Sequence, residues 1–380
     1  MKKILYVMRY PLEEEFSIKN KLDGQLKALV NMGHQVRYIA FDHNYDYLVN
    51  ANSGEKTKIL KNYNINPDLY LHTKAYWDIY KSSLISIRKE NYDIIYIRSN
   101  PFSSSAVKMC REGKRNRAKV IIEIPSFPPN GEKTISLLRW IYGAYSHRCG
   151  KDVEKYVDLY AVNGEHVDFY HGIPAINFDN GVEIELIPLR KEREPAYPLH
   201  LIGVASMRDW HGYDRIIRGI ANLSKETREK IVLDLVGNDS GDGSLDRWKK
   251  LVDELSLNKQ VIFHGYKTGK DLDDLFEKAD CGICSLGLYR AGYYNICILK
   301  LREYAARGLP FIYACNDPGI MDNPPFCIRF SNDDTSINVE NVISFVNALK
   351  KQGVTPQMIR NYAEKYMTWE SQFNKIFSAI

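Results

Sequence analysis

Residues 295–314, NICILKLREYAARGLPFIYA, place a lysine and a glutamate three residues apart in an otherwise apolar stretch. Lys300 and Glu303 would share one face of a helix that ends before Gly308. The simplest interpretation is a partly exposed ion pair between them, worth at most about 0.5 kcal/mol. The alternative is a binding function, because a purely structural helix does not need a cation and an anion together at its inward end.

Short apolar strands alternate with helical patterns in both halves of the chain. The strand KILYVMRY, for example, precedes a segment in which Leu22, Leu26 and Leu29 recur at helical spacing. Strands that are apolar on both faces and alternate with helices predict a parallel sheet covered on both sides. The alternation stops at the charged, proline-containing run from Arg190 to His200 and then restarts. The pattern predicts an α/β protein with two doubly wound, Rossmann-like domains that face each other across a cleft.

The length of 380 residues also favours two domains. We expect the first at residues 1–188 and the second at residues 189–365.

The apolar content of 44% and charged content of 26% are typical of soluble globular proteins. No apolar run approaches the roughly 20 residues of a membrane span. The net charge of +5 does not indicate a nucleic-acid-binding protein. The sequence therefore predicts a cytoplasmic protein.

Polar residues follow four of the predicted strands in the second half, in the loops 206–212, 237–239, 265–267 and 285–290. Because parallel strands end at the same edge of a sheet, these loops should converge with the start of the Lys300 helix. Glycines, basic side chains and the positive end of a helix dipole together predict a pocket for a nucleotide diphosphate. The sequence has neither a Walker loop nor a GxGxxG fingerprint, so a P-loop or dinucleotide site is not favoured.

The sequence favours a protein without a metal cofactor. The closest cysteines, Cys281 and Cys284, lie in a predicted strand and have no second ligand pair of zinc-binding spacing. The DSGDG run that begins at Asp239 is typical of a surface turn. We therefore expect no metal and no other cofactor.

Five motifs, in chain order, resemble the retaining GT-B glycosyltransferases, in the large bacterial family (glycosyltransferase family 4-like) that includes the mannosyltransferases of glycolipid assembly. They are LKALVNMGHQV, NFDNGVE, VIFHGYKTGKDLDDLFEKADCGICSL, ILKLREYAARGLPFI and MTWESQF. The resemblance covers nearly the whole chain. The run EIP at residues 123–125 resembles a subgroup of capsule and surface-polysaccharide enzymes.

The resemblance implies an enzyme that transfers a hexose-type sugar from a nucleotide-diphosphate donor to a hydroxyl group, with retention at the anomeric carbon. It implies that Glu303 accepts hydrogen bonds from the ribose, that Lys300 meets a phosphate or the nearby sugar, and that the C-terminal helix, about 366–380, returns to the first domain. The expected catalytic residues are Arg208, Lys300 and Glu303. The expected donor-binding residues are Ser206, His211, Gly212, Asn238, Gly265, Tyr266, Asn295, Leu299, Lys300 and Glu303.

Several positions depart from the family pattern. Asn295 stands where the family usually has a glutamate that contacts the donor sugar. Ser206 and His211 stand where an arginine and a lysine hold the diphosphate, and Arg208 lies between them as a substitute. The histidine that often follows the fourth strand is absent. These departures leave two alternatives open, a catalytically impaired accessory or binding protein and a sugar-nucleotide epimerase.

The resemblance assigns acceptor binding to the first domain, where we expect Gly24, Arg98 and Glu123 to meet a lipid-linked or other saccharide acceptor. Arg98 could instead pair with a neighbouring carboxylate.

A separate segment, KMCREGKRNRAK, holds six basic residues and one acidic residue. It is either a solvated helix end or a patch that binds anionic headgroups, which would make the protein peripheral at the inner face of the plasma membrane. The basic residues are Lys108, Arg111, Lys114, Arg115, Arg117 and Lys119.

Overall fold

The computed structural model describes residues 1–12, 18–61, 79–98, 103–127, 147–164, 166–193 and 196–380. The chain divides into two compact units. The first unit is Met1–Asp179 together with Trp369–Ile380, and the second is Asn180–Thr368. Each unit has its own Rossmann-like α/β sheet, which confirms the predicted fold class.

The first unit is built on a sheet of nine strands within the described residues. The strands are β1 (Lys3–Met8), β2 (Gln35–Phe41), β3 (Tyr45–Asn50), β4 (Lys56–Lys61), β5 (Ile94–Arg98), β6 (Lys119–Phe127), β7 (Leu159–Gly164), β8 (Phe169–Tyr170) and β9 (Ile173–Asn177). Their order is β4-β3-β2-β1-β5-β6-β7-β9-β8. The pairings from β2 through β1, β5, β6 and β7 to β9 are parallel, whereas β3, β4 and β8 pair antiparallel at the edges.

Helices cover both faces of this sheet. They are α1 (Lys19–Asn31), α2 (79–89), α3 (Ser104–Arg115), α4 (147–154) and, from the end of the chain, α12 (Trp369–Ser378). Alternate residues of β1 enter different cores. Ile4 and Tyr6 pack with α1 and α12, while Leu5 and Val7 pack with α2 and α3. This two-sided burial is the physical reason that the strand sequences are continuously apolar.

The second unit contains a six-stranded parallel sheet. Its strands are β10 (Leu199–Val204), β11 (Ile231–Val236), β12 (Val261–Gly265), β13 (Cys281–Ile283), β14 (Phe311–Tyr313) and β15 (Cys327–Arg329), in the order β12-β11-β10-β13-β14-β15. Its helices are α5 (Tyr213–Ala221), α6 (Lys225–Arg228), α7 (Ser244–Glu254), α8 (Gly269–Lys278), α9 (Leu299–Ala306), α10 (Val339–Lys351) and α11 (Pro356–Tyr366).

The segment that follows Asp179 belongs to the second unit, ahead of the predicted limit at residue 188. The Arg360 guanidinium donates to the carbonyl oxygens of Ile184 and Ile187, each at 2.8 Å, and so fastens this segment to α11. The second unit also continues to Thr368, past the predicted limit at residue 365. Among the described residues, no helix is both long enough and apolar enough to cross a membrane.

Candidate functional site

The loops at the carboxyl ends of β10 and β13 are joined by main-chain hydrogen bonds. The Leu286 amide donates to the His211 carbonyl at 2.9 Å, and the Gly287 amide donates to the Trp210 carbonyl at 3.2 Å. Gly212, between these contacts, has a φ of 62°. A Cβ at Gly212 would lie 2.5 Å from the amide nitrogen of Gly287, so only glycine allows the two loops to approach this closely.

The loops after β11 and β12 join the same edge of the sheet. The Met207 amide donates to the Asn238 carbonyl at 2.8 Å, and the Asn238 side-chain oxygen accepts from the Tyr266 amide at 3.1 Å. Gly265, with a φ of 66°, makes the turn that brings Tyr266 beside Asn238. The Tyr266 side chain is 69% exposed and available as a stacking surface. The four loops predicted to converge are therefore connected in the structure.

His211 is buried and neutral at this edge. Its Nδ1 accepts a hydrogen bond from the Arg208 amide at 3.1 Å, which leaves the proton of the neutral ring on Nε2. Burial, reinforced by the ammonium of Lys300, lowers the pKa of His211 to about 2. The ring stacks on Tyr213, with centroids 5.8 Å apart. His211 can therefore donate from Nε2 to an anion without carrying a charge of its own.

Lys300 is the second residue of α9, and its ammonium is buried although the residue as a whole is partly exposed. Nζ has no hydrogen-bond partner in the described part of the chain and lies 5.9 Å from the centre of the Tyr213 ring. Burial lowers the pKa of Lys300 to about 8, against the smaller opposing effects of Cys284 and Glu303. A buried, unpartnered cation is costly, so its presence points to an anionic ligand.

The first turn of α9 is open to a ligand. Ile298, the residue before the helix, provides no side-chain cap. Its amide donates to the Asp317 carboxylate at 2.8 Å, and Asp317 also forms a buried ion pair with Arg302. Leu299, the first helical residue, is 50% exposed. Amide groups in the first turn of a helix have no intrahelical partners and carry the positive end of the dipole, which favours phosphate.

Glu303 lies one turn beyond Lys300 but pairs with a different residue. Its Oε1 accepts from Nε of Arg307 at 3.1 Å, and Arg307 also contacts Asp273 at 2.7 Å. No ion pair joins Lys300 and Glu303 among the described residues, so the simplest interpretation of their spacing is wrong. The Glu303 side chain is one-third exposed, and Oε2 remains available to a hydroxyl donor.

The remaining predicted donor-site residues lie at the same edge of the sheet. The Arg208 guanidinium stacks on the Trp210 ring at 4.9 Å, and Ser206 is exposed next to it in the β10 loop. Asn295 is exposed and its side-chain oxygen accepts from Asn316 at 2.8 Å. Sequence reasoning did not single out Tyr213 or Asn316. Tyr213 begins α5 and Asn316 follows β14, and only the folded structure brings them next to Lys300 and Asn295, respectively.

In the first unit, the Glu123 carboxylate is buried and surrounded by protein donors. Arg98 Nε donates to Oε1 at 2.8 Å, and the Tyr96 hydroxyl donates to Oε2 at 2.9 Å. Gln25 Nε2 and the Tyr6 hydroxyl approach Oε2 at 3.3 and 3.5 Å. Burial alone would lower the pKa of Arg98, but the Glu123 carboxylate raises it above its ordinary value.

This arrangement agrees with the structural alternative for Arg98, a pair with a neighbouring carboxylate. The oxygens of Glu123 accept from protein donors rather than being open to an acceptor, because Tyr6 of β1, Gln25 of α1, and Tyr96 and Arg98 of β5 all direct polar atoms at them. Tyr6 and Tyr96 are direct cross-strand neighbours in β1 and β5, a signal that the apolar strand pattern concealed. Gly24 is buried within α1.

The basic segment at residues 108–119, which runs from α3 into the first residue of β6, is partly neutralised. Lys114 and Lys119 both approach Asp158, at 2.8 and 3.7 Å, and Arg115 pairs with Glu112 at 3.3 Å. The remaining basic residues of this segment are Lys108, Arg111 and Arg117; Arg111 Nε donates to the Tyr156 hydroxyl at 3.0 Å.

In the described ranges, no group of three or more histidine, cysteine, aspartate or glutamate side chains is arranged to hold a metal ion.

The comparison with known proteins agrees with this geometry. Residues 189–321 match the family described as Glycosyl transferases group 1. No curated protein matches the sequence. The fold is similar to Anabaena HepE in complex with UDP, with a TM-score of 0.62, 12% identity and 100% of both chains covered. It is also similar to the lipopolysaccharide outer core galactosyltransferase WaaB, with a TM-score of 0.61, 12% identity and 100% of both chains covered.

A third similar structure is the sucrose-phosphate synthase of Thermosynechococcus elongatus, with a TM-score of 0.58, 15% identity and 100% of both chains covered. At these identities the likeness establishes the fold. Together with the domain match, it supports a glycosyltransferase. The matched residues lie within the second unit, and the fold of the chain is that of the GT-B glycosyltransferases.

Proposed function

We propose that the protein is a retaining glycosyltransferase that moves a hexose-type sugar from a UDP-linked donor to a hydroxyl group of a lipid-linked saccharide acceptor, in surface-polysaccharide or glycolipid synthesis. The observation that carries the proposal is the buried ammonium of Lys300, which has no partner among the described residues and lies beside the neutral His211. HepE, a protein of similar fold, has been solved with UDP and with UDP-glucose, which makes UDP the first nucleotide to test.

In this proposal, the diphosphate occupies the space in front of α9. Lys300 supplies a full positive charge, His211 supplies an Nε2–H donor, and the open first turn of the helix supplies main-chain amides. Arg208 reaches the same anion from the β10 loop. These groups are preorganised, so they stabilise the charge that develops on the leaving diphosphate without reorganising during the reaction.

Glu303 takes a different role, binding the ribose hydroxyls through its free oxygen. Its ion pair with Arg307 holds the carboxylate in place. Transfer then requires little covalent chemistry from the protein, because the leaving group is already a diphosphate and the remaining task is to orient the acceptor. Charge neutralisation comes from the protein rather than from a metal ion, so a chelator should leave the transfer rate unchanged.

We propose that the protein works in the cytoplasm, with the basic segment at residues 108–119 as its contact to an anionic membrane. Lys108, Arg111 and Arg117 support this assignment, because none of them has a carboxylate partner in an ion pair among the described residues. Binding to vesicles that contain anionic lipid should fall when these three are changed to glutamine. Equal binding of the variant and the unchanged protein would remove the membrane part of the proposal.

The function is tested by calorimetry and turnover with the full chain. UDP should bind, and Lys300→Met should weaken binding by at least tenfold, since a charged hydrogen bond to phosphate is lost. Lys278→Met, a change of the same type at the exposed last residue of α8, just before the amino end of β13, is the control and should bind UDP normally. Absence of binding by UDP, GDP and dTDP would refute the proposal. Binding of a nucleotide sugar without transfer to any saccharide acceptor would favour the accessory-protein alternative.

A further inference from the structure

A buried ion pair holds the residue that precedes α9. Arg302 and Asp317 are both almost completely buried, and both terminal nitrogens of the guanidinium meet the carboxylate, with Nη2 at 2.6 Å from Oδ1. Both partners also bond the main chain of Ile298. Oδ2 of Asp317 accepts from the Ile298 amide at 2.8 Å, and Nη1 of Arg302 donates to the Ile298 carbonyl at 3.1 Å. This arrangement, the Ile298 clamp, fastens the residue on both sides.

Asp317 is itself fixed in the loop that follows β14. Its Oδ1 also accepts from the Gly319 amide at 3.0 Å, which closes a tight turn. The chain just before Ile298 lies along the same loop, because the Ile296 amide donates to the Asn316 carbonyl at 3.0 Å. The clamp therefore ties the start of α9 to the carboxyl edge of the second sheet.

The clamp does the work of a helix cap without occupying the first turn. A capping side chain commonly holds the start of a helix, but it uses the main-chain amides that it bonds. Ile298 is extended, with a φ of −89° and a ψ of 116°, and provides no side-chain cap. Because Asp317 holds α9 from the residue before the helix, the amides of Leu299 and Lys300 stay open to a ligand.

The ion pair is poorly suited to stabilising the fold by its charges alone. Two charges lose hydration when they are buried, their attraction only partly offsets that loss, and apolar residues of similar size are often as stable in the same place. The distinctive contribution of Asp317 is an acceptor oxygen for a main-chain amide, since Ile298 is itself buried.

We propose that Asp317, held by Arg302, is a positioning residue for the binding of the nucleotide diphosphate. This inference rests on the proposed function and deepens its account of α9. Asp317 does not touch the ligand; it acts through the Ile298 amide, which sets the place and direction of the open amides in the first turn. Donors that are already in place bind an anion without an ordering cost, so loosening the clamp should weaken diphosphate binding even where the fold keeps its stability.

The experiment compares two charge-free variants of the full chain by calorimetry with UDP and by unfolding in urea. Arg302→Met/Asp317→Leu removes both charges and the acceptor of the Ile298 amide. We expect it to unfold at about the same urea concentration as the unchanged protein and to bind UDP about fivefold to tenfold more weakly. Arg302→Met/Asp317→Asn also lacks both charges but keeps an acceptor oxygen, so it should bind UDP within about twofold of the unchanged protein.

Arg193 and Asp280 provide a matched control at the opposite, amino edge of the same sheet. Asp280 accepts from Nη2 of Arg193 at 2.7 Å and from the His200 amide at 2.8 Å, so it also joins an arginine to a main-chain amide. Arg193→Met/Asp280→Leu should leave the affinity for UDP unchanged. If this variant loses as much affinity as Arg302→Met/Asp317→Leu, the effect is not specific to α9 and the positioning role is wrong.

Hydrogen exchange in the unchanged protein provides a test that needs no variant, and it decides the matter if Arg302→Met/Asp317→Leu does not fold. Without UDP, the Ile298 amide should exchange at least about tenfold more slowly than the Leu299 and Lys300 amides, because it is bonded to Asp317 whereas first-turn amides have no intrahelical partner. UDP should then slow the exchange of Leu299 and Lys300. Equal rates for the three amides in the free protein would show that the clamp is not formed and would overturn the proposal.

The outcomes distinguish this inference from the proposed function. If the unchanged protein and Arg302→Met/Asp317→Leu bind UDP equally, or if Arg302→Met/Asp317→Asn binds it as weakly as Arg302→Met/Asp317→Leu, the positioning role is wrong and the proposed function stands. If UDP does not bind the unchanged protein at all, the proposed function fails and takes this inference with it.

Discussion

Lys300 should take up a proton when a nucleotide diphosphate binds. Burial holds its pKa at about 8 in the free protein, compared with 10.5 for an ordinary lysine. One pKa unit corresponds to about 1.4 kcal/mol, so burial disfavours the ammonium by about 3 kcal/mol. A diphosphate against Nζ favours the charged form and should return the pKa toward its ordinary value or above.

The size of the uptake follows from that pKa. At pH 8 about half of the free molecules carry the Lys300 proton, so UDP binding should take up about half a proton per complex. At pH 7 the uptake from this residue should fall to about a tenth of a proton. Calorimetric titrations in buffers of different ionisation enthalpy measure this number directly. Lys300→Arg is the matched control, because arginine stays protonated and should bind UDP without proton uptake at either pH.

Stability provides a second measurement of the same group. Because the pKa of Lys300 in the folded protein lies below that in the unfolded chain, the destabilisation is complete below pH 8 and is relieved as the pH rises from 8 to about 10.5. At pH 7, Lys300→Met should therefore raise the free energy of unfolding, by up to about 3 kcal/mol, and near pH 10.5 the gain should vanish. Either of two results would refute this reasoning. One is that UDP binds without proton uptake, and the other is that Lys300→Met binds UDP as tightly as the unchanged protein does.

Three further substitutions test other parts of the site and its scaffold. Glu303→Ala should weaken UDP binding at least tenfold but lower the free energy of unfolding by only about 0.5 kcal/mol, because its pair with Arg307 is partly exposed; unchanged affinity in calorimetry would remove Glu303 from the site. Gly212→Ala should lower the free energy of unfolding in urea by about 1–3 kcal/mol, because the φ of Gly212 is positive and the new Cβ would meet Gly287. An unchanged free energy of unfolding would contradict the contact between the two loops. Glu123→Gln should lower the free energy of unfolding by about 3–5 kcal/mol, because Arg98 is then left buried without its counter-charge. A decrease below about 1 kcal/mol would show that the pair does not stabilise the fold.

The periodicity of the sequence predicted the parallel core of both sheets because that core obeys a simple rule. Strands buried on two faces are mostly apolar along their central residues, and β1 and β5 follow this rule. The hairpin of β3 and β4 does not, since β4, KTKILK, is largely exposed and shows no apolar face. Edge strands of this kind are stabilised by main-chain pairing with a neighbour, which leaves little trace in the side-chain pattern.

The candidate site was predictable in its location but not in its pairings. Glycines and polar residues after successive strands indicate a shared edge, and the loops there are indeed hydrogen-bonded to one another. The spacing of Lys300 and Glu303 could not reveal that Glu303 pairs with Arg307, because residues three and four apart are both neighbours on a helix. The Ile298 clamp depends on Asp317, which reaches Ile298 from the loop after β14, 19 residues away in the sequence.

A crystal structure of the protein soaked with UDP would test the central claim most directly. We predict a diphosphate oxygen within about 3 Å of Nζ of Lys300, another within about 3 Å of Nε2 of His211, and the diphosphate facing the first turn of α9. UDP bound elsewhere on the protein, with the Lys300 ammonium still buried and unpartnered, would contradict the account.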